Sequence, residues 1–349
     1  MTQIDPAAIA ASATVAEFER TTSLVDTIRR WLHRHPLASP AAVLVLAAVY
    51  FSLSTERFLT ATNASTILAQ VTVIGSLAVA QTLVVLTAGI DLSVGSTTLL
   101  SSVVMGKLAL GWGYAPVLAL LVGLAVGTAC GAVNGILITR LRIPPFIATL
   151  GTFNALFALS QWFSENATLR NQDLRADASI LLWFDRTWEP FDGFRVTYGS
   201  LLMLGMFVVA WYALRRTAWG RHVYATGDDR ESARLTGIRT DRVLLSVYTL
   251  AGLICGIAGW LWISRIGSVS PKPLENANLD SITAVVIGGT SLFGGRGSVF
   301  GSLLGALIVG VFDSGLSQAG VDPLWRTFAI GVLVIVAVAL DQWLRRVAA

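Results

Sequence analysis

The sequence predicts an all-α polytopic membrane protein, a bundle of about eight to ten transmembrane helices. Of its 349 residues, 54% are hydrophobic and 13% are charged, and that charged share is about half of the share in soluble proteins. Mean hydropathy is +0.68, and the apolar residues gather in runs such as 41–50 and 329–340, separated by short polar breaks. This pattern excludes an ordinary soluble enzyme.

Ten apolar segments are found by searching for runs of roughly 20 apolar residues, the length that crosses a bilayer. In chain order they cover residues 36–54, 65–87, 93–110, 115–139, 146–163, 197–214, 243–263, 280–293, 298–312 and 324–341. The segments 280–293 and 298–312 are too short to cross the bilayer as straight helices. We therefore expect one or both to be tilted, re-entrant or half-helices.

The placement of arginine predicts the orientation of the chain, because positive charge concentrates on the cytoplasmic side. The arginines beside the membrane segments are Arg29, Arg30, Arg34, Arg140, Arg142, Arg215, Arg216, Arg221, Arg230, Arg234, Arg239, Arg242, Arg345 and Arg346. All of them fall on one side if both termini are cytoplasmic. The expected organisation is a cytoplasmic N-terminal tail (1–35), a transmembrane domain (36–341) with an outer loop (164–196) and a cytoplasmic loop (215–242), and a cytoplasmic C-terminal tail (342–349).

The predicted outer loop (164–196) carries several aromatic residues among its charges. They are Trp183, Phe184, Trp188 and Phe191. An aromatic belt at the membrane surface explains them, and a docking surface for a partner explains them equally well.

Glycine spacing predicts close helix packing and broken helices. Two series recur every four residues: Gly123, Gly127, Gly131 and Gly135, and Gly297, Gly301 and Gly305. Small residues at this spacing let helix backbones approach closely in a membrane. The stretches 84–96 and 285–298 also share a weak pattern of an apolar run, a glycine-rich break and a new helix start. This repeat indicates an internal duplication with broken helices near a transport path.

Nucleotide, metal and nucleic-acid chemistry are not expected in this chain. Gly106 and Lys107 look like the end of a phosphate-binding loop, but Leu108 replaces the hydroxyl residue that the motif requires. The run 294–301 lacks the third glycine of a dinucleotide fingerprint. The two cysteines lie in apolar runs and the three histidines lie near the predicted cytoplasmic side, so no disulfide framework or metal centre is expected. The net charge of +4 comes from arginines beside membrane segments rather than from a basic patch, which excludes nucleic acid.

Neutral polar residues, rather than charges, lie within the apolar segments. They are Gln70, Gln81, Thr82, Thr87, Asn134, Thr149, Thr152, Asn154 and Gln161. Amides and hydroxyls suit a neutral polyhydroxylated solute, although hydrogen bonding between helices is the more frequent role of any one such residue. The carboxylates lie at segment ends: Asp91, Asp280, Asp313 and Asp341. That position disfavours a proton- or sodium-driven carrier.

Two helix starts are predicted from capping residues. Asp91 precedes a new helix that begins after Ser93, where its carboxylate can cap free N–H groups, and we favour this structural role over substrate binding. In the cytoplasmic loop (215–242), Asp228 and Glu231 form an aspartate version of a capping box, and Gly237 can end the helix in a left-handed turn. The loop therefore predicts a short cytoplasmic helix shaped to fit a partner's groove.

Four stretches together resemble the membrane subunits of bacterial ATP-binding cassette importers for monosaccharides, the ribose, xylose, arabinose and fructose group. They are AGIDLSVGS (88–96), NGILITRLRIPPFIATLGT (134–152), GRHVYATGDDRESARLTGI (220–238) and LDSITAVVIGGTSLFGGRGSVFG (279–301). With the hydropathy, the resemblance covers nearly the whole chain from about residue 40. It is greatest to the fructose permease subunits.

The resemblance implies a two-fold homodimer with the sugar path between its subunits, a periplasmic sugar-binding protein and a cytoplasmic ATPase. It implies that residues 36–341 are a permease domain in a bacterial inner membrane, that 164–196 is a periplasmic loop and that 215–242 is a coupling loop to the ATPase. ATP and Mg would be bound by that ATPase, and this chain would hold no cofactor and catalyse no reaction. The implied contacts to the ATPase are Gly227, Asp228, Asp229, Glu231, Arg234 and Gly237. The implied path residues are Gln81, Asn134, Thr149, Thr152 and Asn154.

Other functions remain alternatives. A permease of the same superfamily could carry a nucleoside, an autoinducer or an amino acid, but a carboxylate solute favours a basic group at the path, and the spans show no such residue at their centres. An ion-coupled carrier or a membrane scaffold would leave the capped cytoplasmic helix without a role.

Overall fold

The computed structural model describes residues 37–165, 167–270, 274 and 277–346, with side chains through Val336 and at Ala339. The predicted N-terminal tail (1–35), with its arginines and histidines, lies outside the described residues, as do residues 347–349 of the C-terminal tail. The side chains of Asp341, Arg345 and Arg346 also lie outside them.

The described chain is helical, with one small β-hairpin. The helices of the membrane domain are α1 (Ala38–Ser54), α2 (Ala61–Leu86), α3 (Val94–Gly106, continued by a π turn at Lys107–Gly111), α4 (Pro116–Thr139), α5 (Pro145–Ser164), α7 (Tyr198–Arg216), α10 (Thr240–Ile266), α11 (Ala277–Ile287), α12 (Val299–Gln318) and α13 (Pro323–Arg346). The loops hold α6 (Asn171–Asp177), a 3-10 turn (Ser179–Asp185), β1 (Thr187–Phe191), β2 (Phe194–Thr197), α8 (Ala218–Asp228) and α9 (Arg230–Leu235).

Each of the ten predicted segments is a helix, which confirms the all-α polytopic fold. Among the described residues, seven helices are long and apolar enough to cross a membrane, and three shorter apolar helices accompany them. The prediction that 298–312 is too short is wrong, since α12 continues to Gln318. The apolar run ends where polar residues such as Asp313 begin, but the helix does not. Asp313 therefore lies inside a helix rather than at its end, whereas α11 is short, with 11 residues.

Two helix breaks lie where the sequence repeat predicts them. The first break follows Leu86 and passes through Ala88, which has a left-handed backbone with φ +58°. The second break follows Ile287 and passes through Gly294 and Gly295, with φ +85° and +68°. Left-handed backbone strongly favours glycine, which accounts for the glycines of the second break.

The predicted glycine series form two packing seams. On α4, a Cβ added at Gly127 or Gly131 would meet the backbone of Gly252 on α10. On α12, a Cβ at Gly301 or Gly305 would meet backbone atoms of α11. Both seams are places where only glycine leaves room for the facing helix.

The loop predicted to be periplasmic is folded against the membrane domain. Strands β1 and β2 form an antiparallel pair, with Trp188 opposite Val196. Phe184 packs on Trp260 of α10, with 4.4 Å between ring centroids. Trp188 and Phe191 are exposed. The hairpin was not predicted, because the charges and aromatic residues of this loop do not alternate in a regular strand pattern.

Helix α5 differs from its neighbours in burial. Within the single chain, 17% of the residues in its most apolar stretch are buried, against 72% for α2 and 83% for α3. Two prolines set its start, with Pro145 at the first helical position, where the missing N–H costs nothing. The outer face of α5 must therefore meet lipid or another protein.

Candidate functional site

The first helix break is held by a chain of side-chain hydrogen bonds. The Asp91 carboxylate accepts from the Ser93 amide at 2.8 Å and from the Ser93 hydroxyl at 2.6 Å. The Asn134 amide of α4 donates to the Ser93 hydroxyl at 2.8 Å, and the Thr152 hydroxyl of α5 donates to the Asn134 carbonyl oxygen at 2.8 Å. The break is thus tied to two helices that are distant from it in sequence.

Thr149 adds a second tie between the break and α5. Its hydroxyl lies 2.9 Å from the main-chain oxygen of Ile90, and its side chain is fully buried. Three of the predicted path residues, namely Asn134, Thr149 and Thr152, therefore belong to the support of the first break.

The predicted cap by Asp91 needs correction. Ser93 is the residue before the first turn of α3, and its own side chain makes no capping bond. Asp91 binds the amide and hydroxyl of Ser93 instead of the free N–H groups of the first turn. A carboxylate two residues before an amide forms a local turn with it, and this competes with capping.

The other two predicted path residues lie in different environments. Gln81 of α2 is fully buried, and neither atom of its amide group has a hydrogen-bond partner among the described residues. Asn154 lies on the exposed face of α5 and donates to the Leu150 carbonyl of its own helix at 3.1 Å. The five residues therefore do not line one surface within a single chain.

In the coupling loop, Asp229 rather than Asp228 caps the short helix α9. The Asp229 carboxylate accepts from the amides of Glu231 and Ser232 at 2.9 and 3.0 Å and from the Ser232 hydroxyl at 2.7 Å. The bonds from Ser232, and then that from Glu231, hold the pKa of the Asp229 carboxyl below its usual range. The predicted cap is wrong by one residue, because Asp228 still belongs to α8 and only Asp229 has the extended backbone of a cap.

The end of α9 agrees with the prediction. Gly237 has φ +89°, and the Arg230 side chain forms an ion pair with Asp241 at 2.8 Å that ties α9 to the start of α10. A crevice of about 820 Å³ opens between this loop and residues 138–145, with Glu231, Arg234 and Gly237 in its lining. The surface of the coupling loop is therefore rigid, concave and rich in arginine.

Helix α8 contacts both helix breaks, which the sequence did not predict. The Gly295 amide of the second break donates to the Leu86 carbonyl of the first at 3.0 Å. Gly227 lies against this pair, since an added Cβ would meet the Leu86 oxygen and the Gly295 nitrogen. The Tyr224 hydroxyl donates to the Gly297 carbonyl at 3.0 Å. We name these three contacts, made by Tyr224, Gly227 and the Leu86–Gly295 hydrogen bond, the inner clasp.

The signal for the inner clasp was present in the sequence as the two glycine-rich breaks. The inner clasp could not be predicted from this signal, because its contacts join atoms that are far apart in the sequence. Burial raises the pKa of the Tyr224 phenol, so this residue is a hydroxyl donor at neutral pH.

Comparison with known proteins identifies the family. Residues 63–338 match the family described as "Branched-chain amino acid transport system / permease component". The chain belongs to this family of membrane permeases. It is thus a multi-pass membrane protein that serves as a transport component rather than an enzyme.

Several relatives are similar over most of their length. The chain is 50% identical to the fructose import permease protein of Rhizobium meliloti, over 97% of this chain and 94% of that protein. It is 36% identical to the ribose import permease protein of Escherichia coli K12, over 86% and 92%. It is 35% identical to the D-allose transport system permease protein of the same strain, over 85% and 89%. No solved structure matches the chain.

Proposed function

We propose that this chain is the permease subunit of an ATP-binding cassette importer that carries a monosaccharide, most favourably fructose, across a bacterial inner membrane. The observation that carries this proposal is the 50% identity to a fructose import permease over 97% of the chain. Ribose is the second candidate, supported by 36% identity to a ribose import permease.

A homodimer completes the path in this proposal. The exposed face of α5 carries the amide of Asn154, and an amide within a span is costly against lipid. We place this face at the two-fold axis, where Asn154 of both copies borders the path for a neutral sugar. The first break and its support by Asn134, Thr149 and Thr152 then form the inner wall beside that path. Gln81 is the fifth path residue of the proposal, because its buried amide can accept and donate to a sugar hydroxyl.

The cytoplasmic ATPase docks on the coupling loop in this proposal. It binds ATP and Mg, since the phosphate-loop pattern of this sequence is incomplete at Leu108. Its contacts are Asp228, Asp229, Glu231, Arg234 and Gly237. Gly227, the sixth predicted contact, is instead buried against the two helix breaks. A movement of α8 that follows ATP binding would reach both breaks through the inner clasp and open or close the inner end of the path.

The proposal includes an orientation, which the arginines beside the membrane segments support. Both termini are placed in the cytoplasm with the coupling loop, and the folded loop 164–196 faces the periplasm. There it receives the sugar-binding protein, for which the exposed Trp188 and Phe191 offer aromatic contacts.

The test is uptake of labelled fructose by cells that lack their own sugar importers and express this chain with its ATPase and binding protein. Each subunit is omitted in turn, and ribose, xylose, mannose and glucose compete. We expect uptake that requires all three subunits and is blocked best by one sugar. Uptake that persists without the ATPase would instead identify an ion-coupled carrier, and uptake blocked only by an amino acid or autoinducer would name another solute.

A further inference from the structure

A second polar cavity lies in the half of the membrane domain farther from the coupling loop. It measures about 180 Å³, and its walls come from α2, α11, α12 and α13. Its polar lining residues are Gln70, Asp280, Asp313 and Thr327. Its apolar lining residues are Val71, Ile74, Val309 and Ile330, with Gly310 beside them. A volume below the roughly 300–1,000 Å³ of pockets for drug-sized ligands suits a ligand no larger than a single sugar ring.

The two carboxylates of this cavity, Asp313 and Asp280, differ in their partners. The Asp313 carboxylate pairs with the Arg326 guanidinium at 3.3 Å, and Arg265 is close enough to attract Asp313. Asp280 adds the second carboxylate and interacts with Asp313. Arg326 and Arg265 thus offset the charge of Asp313 and leave Asp280 as the carboxylate open to a ligand. A sugar hydroxyl can donate a hydrogen bond to it.

Polar atoms at the cavity have capacity left for a ligand. Among the described residues, the Gln70 side-chain oxygen is shielded from solvent and has no hydrogen-bond partner. The Arg265 guanidinium is fixed beside it, because it donates to the Gln70 main-chain oxygen at 2.7 Å. Asp280 has no ion pair within the described chain. A carboxylate and an amide that are held apart on two helices can each bind hydroxyl groups of one small solute.

We propose that this cavity is a monosaccharide subsite of the permease, in which Asp280 and the Gln70 amide bind sugar hydroxyl groups. The four aliphatic side chains face the C–H surface of the ring, and Thr327 contributes a hydroxyl from α13. The cavity thus combines apolar walls with a few convergent polar groups, the composition of a small-molecule site. This inference rests on the proposed sugar import, and it assigns a place where the sugar pauses before the inner clasp opens.

The first test uses vesicles that contain the complete importer with permease, ATPase and binding protein. Labelled fructose uptake and ATP hydrolysis are measured together for Asp280→Asn, for Gln70→Leu and for the control Asp322→Asn. Asp322 lies outside the cavity, and its carboxylate accepts from the Leu324 amide at 2.8 Å, a role that asparagine can keep. We expect the two cavity variants to import about tenfold less sugar per ATP hydrolysed, the scale of one lost hydrogen bond to a charged group. The control should match the wild type.

The second test does not depend on transport by an altered site. In a variant in which Cys130 and Cys255 are replaced by alanine, Thr327→Cys places a thiol at the cavity and Phe328→Cys places one beside it. Both residues are exposed in the single chain, and the rate at which N-ethylmaleimide modifies each thiol is first measured without sugar. Fructose should slow modification of Thr327→Cys alone.

The outcomes separate this inference from the proposed function. The subsite would be rejected, with the importer intact, if both cavity variants import as much sugar per ATP as the wild type. It would also be rejected if fructose does not protect the Thr327→Cys thiol. A wild-type complex that imports no sugar would reject both. If a cavity variant fails to fold, as judged by gel filtration, protection of Thr327→Cys decides.

Discussion

At the first helix break, one amide side chain serves two hydroxyl groups on different elements. Asn134 donates to Ser93 and accepts from Thr152, both at 2.8 Å, and its side chain is 1% exposed. Removing a buried partner costs more than the bond itself contributes, because the remaining groups lose both the partner and water. Asn154 is a matched contrast, since it is exposed and bonds only its own helix.

We therefore predict that leucine at these two positions has different effects on stability and on uptake. Asn134→Leu should destabilise the protein by about 1–3 kcal/mol, the cost of unsatisfied buried groups, and lower its melting temperature in detergent. Asn154→Leu should melt like the wild type but reduce fructose uptake. Equal melting temperatures for the two variants would show that the buried network does not support the break.

The cap of α9 gives a second residue-scale prediction. Asp229→Ala removes the acceptor of two amides and one hydroxyl and should reduce ATP-dependent uptake several-fold. Asp229→Asn keeps the acceptor oxygen and should retain most uptake. Asp228→Ala should also be mild, because Asp228 belongs to α8. If Asp228→Ala is the more damaging variant in the same uptake assay, the capping assignment is wrong.

Helices α4 and α10 pack closely along a seam of glycines. Gly131 faces the Tyr248 carbonyl and Gly252, so that a methyl group there would press on backbone rather than on a flexible side chain. A Cβ added at Gly205 on α7 would have no neighbouring atom within 4 Å. The same substitution thus meets two different surroundings within the membrane domain.

Alanine at these two glycines is a prediction at the scale of the element. Gly131→Ala should cost at least about 1–3 kcal/mol, the usual cost of overpacking, because the facing backbone cannot rotate away. Gly205→Ala should be neutral or slightly stabilising, because glycine weakens a helix by roughly 0.5–1 kcal/mol relative to alanine. Thermal unfolding of both purified variants provides the comparison, and a similar melting temperature for the two would contradict the seam.

The elements themselves could be predicted from sequence, because apolar runs and glycine spacing are local properties. The end of α12 could not, since hydropathy falls at Asp313 while the backbone stays helical to Gln318. The cap at Asp229 was missed because two adjacent aspartates differ only in which one has extended backbone. The role of Asn134 was also hidden, because it depends on Ser93 and Thr152 lying beside it in space.

Across the whole molecule, the inner clasp joins the coupling loop to both halves of the repeat. Tyr224 and Gly227 of α8 contact the second break, and the Gly295 amide bonds the Leu86 carbonyl of the first. Both breaks should therefore move together when α8 moves. An added Cβ at Gly227 would meet backbone atoms of both breaks, so a single methyl group is enough to disturb the contact.

We predict that Gly227→Ala separates ATP hydrolysis from transport. The added methyl group would displace the Leu86–Gly295 pair, so uptake should fall steeply while the ATPase remains bound and active. Tyr224→Phe removes one hydrogen bond and should give a smaller loss. Uptake and ATP hydrolysis by the reconstituted complex measure the ratio, and normal uptake by Gly227→Ala would reject this route of coupling.

The decisive bond of the inner clasp is made by main-chain atoms. A peptide amide and a peptide carbonyl are present whatever side chains the neighbouring spans carry. In the proposed mechanism, the coupling of ATP hydrolysis to transport therefore depends little on the residues that line the cavity. In the proposed mechanism, wall residues can therefore change with the solute while this main-chain contact stays the same. A change of solute specificity then requires no change in the contact between the coupling loop and the two helix breaks.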